Sequence, residues 1–250
     1  MLEDRFAGSI ASGYQAKWPH LFDAAVVEPA VDFLVAQAGP GPVLELGIGT
    51  GRLALPLARL GIGVHGIELS PDMVAQLRAQ EGGGGVGLTM GDIATSAVAG
   101  GAASFTMAYI VRNTIMNLTT QDAQVSCFCN VAAHLVARGR FVMEVMVPEL
   151  RRLPPGDPVR AFSLTPEHLG VEEYDVATQT SWSHHAWVTE GTVETFAAPF
   201  RYVWPAELDL MARLAGMALV ERWEGWDRAP FTSESRTHVS VWEKRVTRPR

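Results

Sequence analysis

Lysine is nearly missing from this 250-residue chain: Lys17 and Lys244 are the only two among its 20 basic residues. Acidic side chains outnumber basic ones, 27 to 20, for a formal net charge of −7. That balance lacks the basic footprint that contact with long polyanions requires, so a small-molecule partner is expected and a nucleic acid is not. Cysteine is as scarce. Cys127 and Cys129, the only two, stand two apart in a segment of helical pattern, where their side chains diverge by about 200° and cannot clamp one ion. No metal site is expected. No apolar run reaches the roughly 18 to 20 residues of a membrane helix. The opening "MLEDRFAGSI" is acidic where a signal peptide would be basic. The expectation is a cytoplasmic protein with no membrane partner.

What the chain does have is 48% hydrophobic residues, enough to fill one large core. From Gly41 to Val147 short β-branched runs alternate with ten to sixteen residues of helical periodicity, the pattern of a parallel sheet with crossover helices. The strands expected are Pro42 to Leu46, Val64 to Glu68, Gly87 to Met90, Ser104 to Val111 and Arg140 to Val147, with helices at Arg52 to Leu60, Pro71 to Gln80 and Thr120 to Val136. Ser70 supplies a capping oxygen to the second helix and Pro71 a preset φ. Ahead of this stretch, Phe6, Ile10, Tyr14, Trp18 and Phe22 recur at near four-residue spacing, which predicts one or two amphipathic helices. They would serve as a lid or simply cap the sheet.

Behind the core, "LPPGDP" (Leu153 to Pro158) breaks regular structure, and the alternation from Ala177 to Trp204 predicts strands. A two-residue turn at Glu190-Gly191 would set Thr189 opposite Thr192 and His185 opposite Phe196. Alternation then places Phe196, Phe200, Tyr202 and Trp204 on one face with His185, and His184 on the other. Pro205 to Gly216 reads as a helix, and Ala218 to Trp223 and His238 to Lys244 as closing strands.

The stretch "VLELGIGTGRLALPLA", Val43 to Ala58, joins a strand to a helix through Gly47, Gly49 and Gly51. A dinucleotide fingerprint needs a third glycine at the position held by Arg52, and a phosphate-binding P-loop needs Gly-Lys-Ser/Thr. Neither is present. Glu68, at the end of the next strand, is placed to accept two hydrogen bonds from a ribose diol and would repel a phosphorylated ribose. The pattern is that of a nucleoside site without a pyrophosphate cradle.

"LELGIGTGR", followed by "VHGIELS" and "MGDI", resembles the class I S-adenosylmethionine-dependent methyltransferases over roughly residues 40 to 147 plus the terminal strand pair. The resemblance implies S-adenosylmethionine as cofactor. Gly47, Gly49 and Gly51 would approach its amino-acid half, with Glu45 bracing the loop. Glu68 would hold the ribose hydroxyls, Leu69 and Met73 would flank the adenine, and Asp92 with Ile93 would meet its edge. Arg52 and Val111 complete the implied cofactor set. The segment "YIVRNTIMNL" would face both methionine carboxylate and acceptor, with Arg112 and Asn113 as candidates. Pattern and resemblance together give an α/β fold: a three-layer, Rossmann-like, seven-stranded, mostly parallel sheet. Its expected divisions are an N-terminal helical lid (1–38), the cofactor-binding core (39–147), an antiparallel β insertion shaping the acceptor site (148–204) and the last helix with the closing strands (205–250).

Methyl transfer is an in-line displacement, so the protein must mainly align nucleophile, methyl and sulfur and exclude water. A hydroxyl acceptor usually wants a base near its working pKa, which singles out His184 and His185, while Tyr14 and Trp18 could close over the acceptor. The catalytic candidates are therefore His185, His184, Arg112, Asn113 and Tyr14. The layout is similar to bacterial small-molecule methyltransferases of antibiotic pathways, those N-methylating deoxyaminosugars in particular. A nitrogen or oxygen acceptor from secondary metabolism is implied. Two alternatives stay open at this point: an NAD-dependent dehydrogenase with an atypical glycine loop, and a non-catalytic S-adenosylmethionine-binding protein. Exposed aromatic strands would suit a homodimer interface as well as an acceptor wall.

Overall fold

The computed structural model describes residues 4–189 and 191–246, so Glu190 of the expected hairpin turn lies outside the described residues. Four parallel strands come first: β1 (Val43–Leu46), β2 (Val64–Glu68), β3 (Gly87–Met90) and β4 (Phe105–Ile110). With β5 (Leu135–Met146), β10 (Met217–Trp223) and β11 (Thr237–Lys244) they form a seven-stranded sheet of order β10-β11-β5-β4-β1-β2-β3. Only β11 runs against its neighbours. Four more strands, β6 (Val159–Leu164), β7 (His168–Asp175), β8 (Thr180–Thr189) and β9 (Thr192–Arg201), make a separate antiparallel sheet inserted ahead of the last helix.

Both faces of the large sheet are covered, and successive strand residues therefore go to different cores. Phe141, Met143 and Val145 join one with Phe128 and Trp242, while Val142 joins the other with Tyr109, Leu53 and Leu57. This double burial is why the core strands read as continuous apolar runs. The helices are α4 (Ala54–Arg59), α5 (Pro71–Ala79), α6 (Gln121–His134) and α7 (Pro205–Leu214). As the sequence predicts, Ser70 Oγ caps α5 by accepting the Met73 amide at 3.3 Å.

The N-terminal region, where one or two amphipathic helices are expected, is more broken than that. It consists of α1 (Ser9–Ser12), α2 (Tyr14–Lys17), a 3-10 turn at Pro19–Phe22 and one long helix, α3 (Ala24–Gln37). Gly13 separates the first two, and Pro19, with no N–H to give, starts the 3-10 turn. Phe33 and Leu34 of α3 are buried against the sheet.

In the insertion the hairpin register agrees with the sequence expectation, Thr189 opposite Thr192 and His185 opposite Phe196. The aromatic face does not extend as far as expected. Strand β9 ends at Arg201, leaving Tyr202 buried in the core and Trp204 as the residue before α7, 39% exposed. A polar hub seats the insertion on the core. The Arg201 guanidinium, 5% exposed, donates to Glu207 Oε1 at 2.7 Å and to Gln124 Oε1, and Gln179 donates to Glu207 Oε2 at 2.6 Å. A buried guanidinium is stable only with such partners.

Candidate functional site

Strand order reverses between β1 and β4, and in open α/β sheets ligands bind outside the carboxyl ends of strands at such a point. A cleft opens there, walled by the loop after β1, the ends of β2 and β3, the segment after β4, and residues 4–6 with Tyr14 folded over from the N-terminus. Among the residues singled out from sequence, Glu45, Gly47, Gly49, Arg52, Glu68, Leu69, Met73, Asp92, Ile93, Val111, Arg112 and Tyr14 all line it.

The glycine loop divides its work. Gly47 (φ 72°) and Gly49 (φ 54°) face the cleft, and a side chain at Gly47 would run into Thr114 Cγ2 at 2.6 Å. Gly51 is placed differently from these two. It lies outside the cleft wall, and at φ 83° its Cα packs against Leu77 and Leu55, so its role is to let α4 and α5 close on the loop.

Glu68, 9% exposed, ends β2 and turns its carboxylate onto the loop. Oε2 accepts the Gly49 amide at 2.8 Å, and Oε1 accepts the amides of Leu69 and Ser70 at 2.9 Å each. Burial raises its pKa, and those three amides pull it back. Beside it Leu69, Met73, Ile93 and Val111 form an apolar slot. Asp92 Oδ1 accepts the Ala94 amide at 2.8 Å, so this residue braces a turn and lines the cleft at once.

Glu45, 3% exposed on β1, accepts the Tyr109 hydroxyl at 2.8 Å. Burial pushes its carboxyl up to about 8, against the downward pull of that hydrogen bond and of Arg52. Arg52 donates to Leu21 O at 3.3 Å and feels Glu144 and Glu45 as counter-charges and Arg112 as a like charge. Tyr14 sits in the field of both arginines, and burial raises its pKa so that the phenol stays protonated at neutral pH. Asn113 is not among the residues that line the cleft. With φ 61° it follows Arg112 (φ 55°) in a left-handed pair, and its Oδ1 accepts the Met146 amide at 2.7 Å.

The two histidines also lie outside the cleft wall. His184 is on the outer face of the insertion sheet, stacked on Trp182 and 3.9 Å from Glu173, because alternation on β8 turns it away. His185 is on the inner face but packed: its ring stacks on His168 and Trp187 and meets Trp18 edge-on at 6.1 Å. His185 Nδ1 is 2.9 Å from His168 Nε2, and its Nε2 is 3.2 Å from Ser183 Oγ. Burial, then the neighbouring His168, lower it to about 4.

Sequence reasoning missed Asp4, Arg5, Phe6, Ile48 and Thr50 in the wall, and named the segment that holds Thr114, Asn117 and Leu118 without singling them out. Phe6 was visible only as part of an apolar repeat, and nothing in the sequence distinguishes it from packing. The N-terminal segment is tied down on both sides. The Gly8 amide donates to Asp72 Oδ2 of α5 at 2.7 Å; Ser9 Oγ and Lys17 Nζ donate to Glu194 of β9, and Lys17 Nζ lies 4.7 Å over the Trp187 ring.

A family model described as a methyltransferase domain matches residues 43–139. Among solved structures, the CcbJ methyltransferase from Streptomyces caelestis is 36% identical over 87% of this chain and 89% of that one, with a TM-score of 0.78. CalS10 from Micromonospora echinaspora, described as an amino pentose methyltransferase of calicheamicin biosynthesis and solved with bound S-adenosylmethionine, shares the fold at 20% identity, covering 97% of this chain and 99% of that one, TM-score 0.67. A curated relative, the 23S rRNA (uracil(1939)-C(5))-methyltransferase RlmD of Shewanella sp. (strain MR-4), is 44% identical over 62 residues, 25% of this chain and only 14% of that protein.

Proposed function

Since the chain belongs to the S-adenosylmethionine-dependent methyltransferases, we propose that it moves a methyl group from that cofactor to a nitrogen or oxygen atom of a small molecule of secondary metabolism. The observation that carries this reading is one cleft lined both by Glu68 with the apolar Leu69, Met73, Ile93 and Val111 and by Arg52, Arg112 and Tyr14.

The residues fit the cofactor. Leu69, Met73, Ile93 and Val111 suit an adenine, with Asp92 at its edge and Glu68 at the ribose hydroxyls. Gly47 and Gly49 let the backbone approach the amino-acid half, and Arg52 and Arg112 suit its carboxylate, since a guanidinium presents a fork of donors to such a group. The bound cofactor supplies an electrophilic methyl on a sulfonium. The chain's residues align the acceptor and keep water out, the N-terminal segment forming the roof. Tyr14, held protonated, orients the nucleophile by hydrogen bonding and does not serve as a base.

With His184 and His185 outside the cleft wall, an amine that arrives neutral is favoured over a hydroxyl that needs a base. The amino pentose named for CalS10 is the kind of acceptor this points to. The net charge of −7 supports a small acceptor over nucleic acid. A cytoplasmic enzyme is part of the same reading. So is a homodimer, because the outer face of the insertion sheet exposes Trp182 by 45% and Leu164 by 80%.

Titration calorimetry with S-adenosylmethionine, S-adenosylhomocysteine and NAD in parallel tests the cofactor. Micromolar binding of the first two, about −8 kcal/mol, is expected, and binding of NAD alone would overturn the reading. Transfer of labelled methyl to a panel of aminosugars and phenols then tests the acceptor; label on phenols alone would exclude the amine.

A further inference from the structure

We propose that Glu144 of β5 is a positioning residue for the amino-acid end of the cofactor site, acting through Arg112. The chain leaves β4 in a strained path, two successive non-glycine residues with φ of 55° and 61°. Such a pair persists only where its surroundings hold it. Glu144 does so with two acceptors, and a third anchors its own carboxylate. Its Oε2 accepts the Arg112 amide at 3.1 Å, its backbone oxygen accepts the Asn113 amide at 3.4 Å, and its Oε1 accepts the indole N–H of Trp226 at 3.0 Å.

The carboxylate is itself fixed from behind. Glu144 pairs with Val239 of β11, and Trp226, from the β10–β11 connection, packs edge-on against Phe33 at 5.4 Å. The result is a turn whose Arg112 guanidinium lines the cleft and makes no hydrogen bond or ion pair among the described residues. Its place is set through the Arg112 backbone, which Glu144 holds. A carboxylate is required at 144 because two N–H donors bond separate oxygens; an amide would set its own NH2 against one of them.

This inference rests on the reading that Arg112 meets the cofactor's carboxylate. The probes are S-adenosylhomocysteine, which has that carboxylate, and methylthioadenosine, which lacks the amino-acid half. Glu144→Gln should weaken S-adenosylhomocysteine about tenfold, the low end of a hydrogen bond to a charged group, and leave methylthioadenosine unchanged. In an Arg112→Ala background the same substitution should have less than about a twofold further effect, the share left to Glu144 as a counter-charge to Arg52. Adding Trp226→Phe to Glu144→Gln removes the opposed donor and should restore affinity to within about twofold, because the remaining amide oxygen can accept the Arg112 amide. Equal weakening of both nucleosides, or a Glu144→Gln loss that survives in Arg112→Ala, would overturn the proposal, since either means general loosening. Wild-type affinity in Glu144→Gln beside a weakened Arg112→Ala would sink Glu144 alone. An unaltered Arg112→Ala would sink the carboxylate reading and this inference with it.

Discussion

Glu68 and Gly49, 19 residues apart in sequence, are joined by a 2.8 Å hydrogen bond from the glycine amide to the carboxylate. With Leu69 and Ser70 also donating to it, three of its about four acceptor positions are engaged by the protein's own backbone. The residue therefore shapes the loop, beside the part proposed for it at a ribose diol. Glu68→Ala should weaken S-adenosylhomocysteine by about 1 to 3 kcal/mol in calorimetry and lower the melting temperature of the unliganded protein. A variant that loses affinity with an unchanged melting curve would mean the loop does not depend on the carboxylate.

Gly51 and Gly49 should separate stability from binding. A methyl at Gly51 collides with Leu77 Cδ1 and comes within 3.1 Å of Leu55 Cγ, both buried side chains, at φ 83°. Gly51→Ala should cost on the order of 2 to 4 kcal/mol in urea unfolding. At Gly49 the nearest atom is 4.0 Å away, so Gly49→Ala should cost about 1 kcal/mol of stability and show its larger effect on cofactor affinity.

Glu45 makes stability depend on pH in an unusual direction. Its folded pKa of about 8 lies above the ordinary value of 4.5. The unfolded chain releases that proton first, so this contribution is fully present below pH 4.5 and is lost as pH rises toward 8. Melting temperatures of the unliganded wild type should fall relative to Glu45→Gln between those pH values. Parallel curves would show that the carboxyl ionises normally.

His185 has the opposite sign. With a folded pKa of about 4 against an ordinary 6.5, its contribution is present above pH 6.5 and is lost as pH falls toward 4. His185→Phe should flatten the wild type's loss of stability over that interval. Turnover at pH 8 should stay within about twofold; a loss of about 100-fold, the scale of a missing general base, would return His185 to catalysis.

The core was legible because its central strands are buried on both faces, and β2 begins and ends where its apolar run does; the edge strand β3, only half-buried, was found at its expected bounds as well. Strands β6 and β7 were not, since their inner positions carry His168, Gly170 and Glu172 where an apolar alternation would be the signal. Of the site, residues tied to the glycine loop could be read from spacing. Asn113 could not be told from a ligand contact, because its left-handed backbone and its bond to the Met146 amide depend on how β4 and β5 lie side by side. His185 was placed on the right face, yet what fills that face, Trp18 and His168, arrives from distant segments.

The hub around Arg201 gives the insertion a defined seam. Gln124 and Glu207 belong to the scaffold, whereas Arg201 and Gln179 belong to the grafted sheet, so the interlocking parts are divided between host and cassette. Exchanging 148–204 between related proteins should succeed where both halves of that seam are carried together, and a second match is needed at Glu194, the socket for Lys17. The cleft, whose described wall takes no residue from 148–204, would pass through such an exchange with its lining intact.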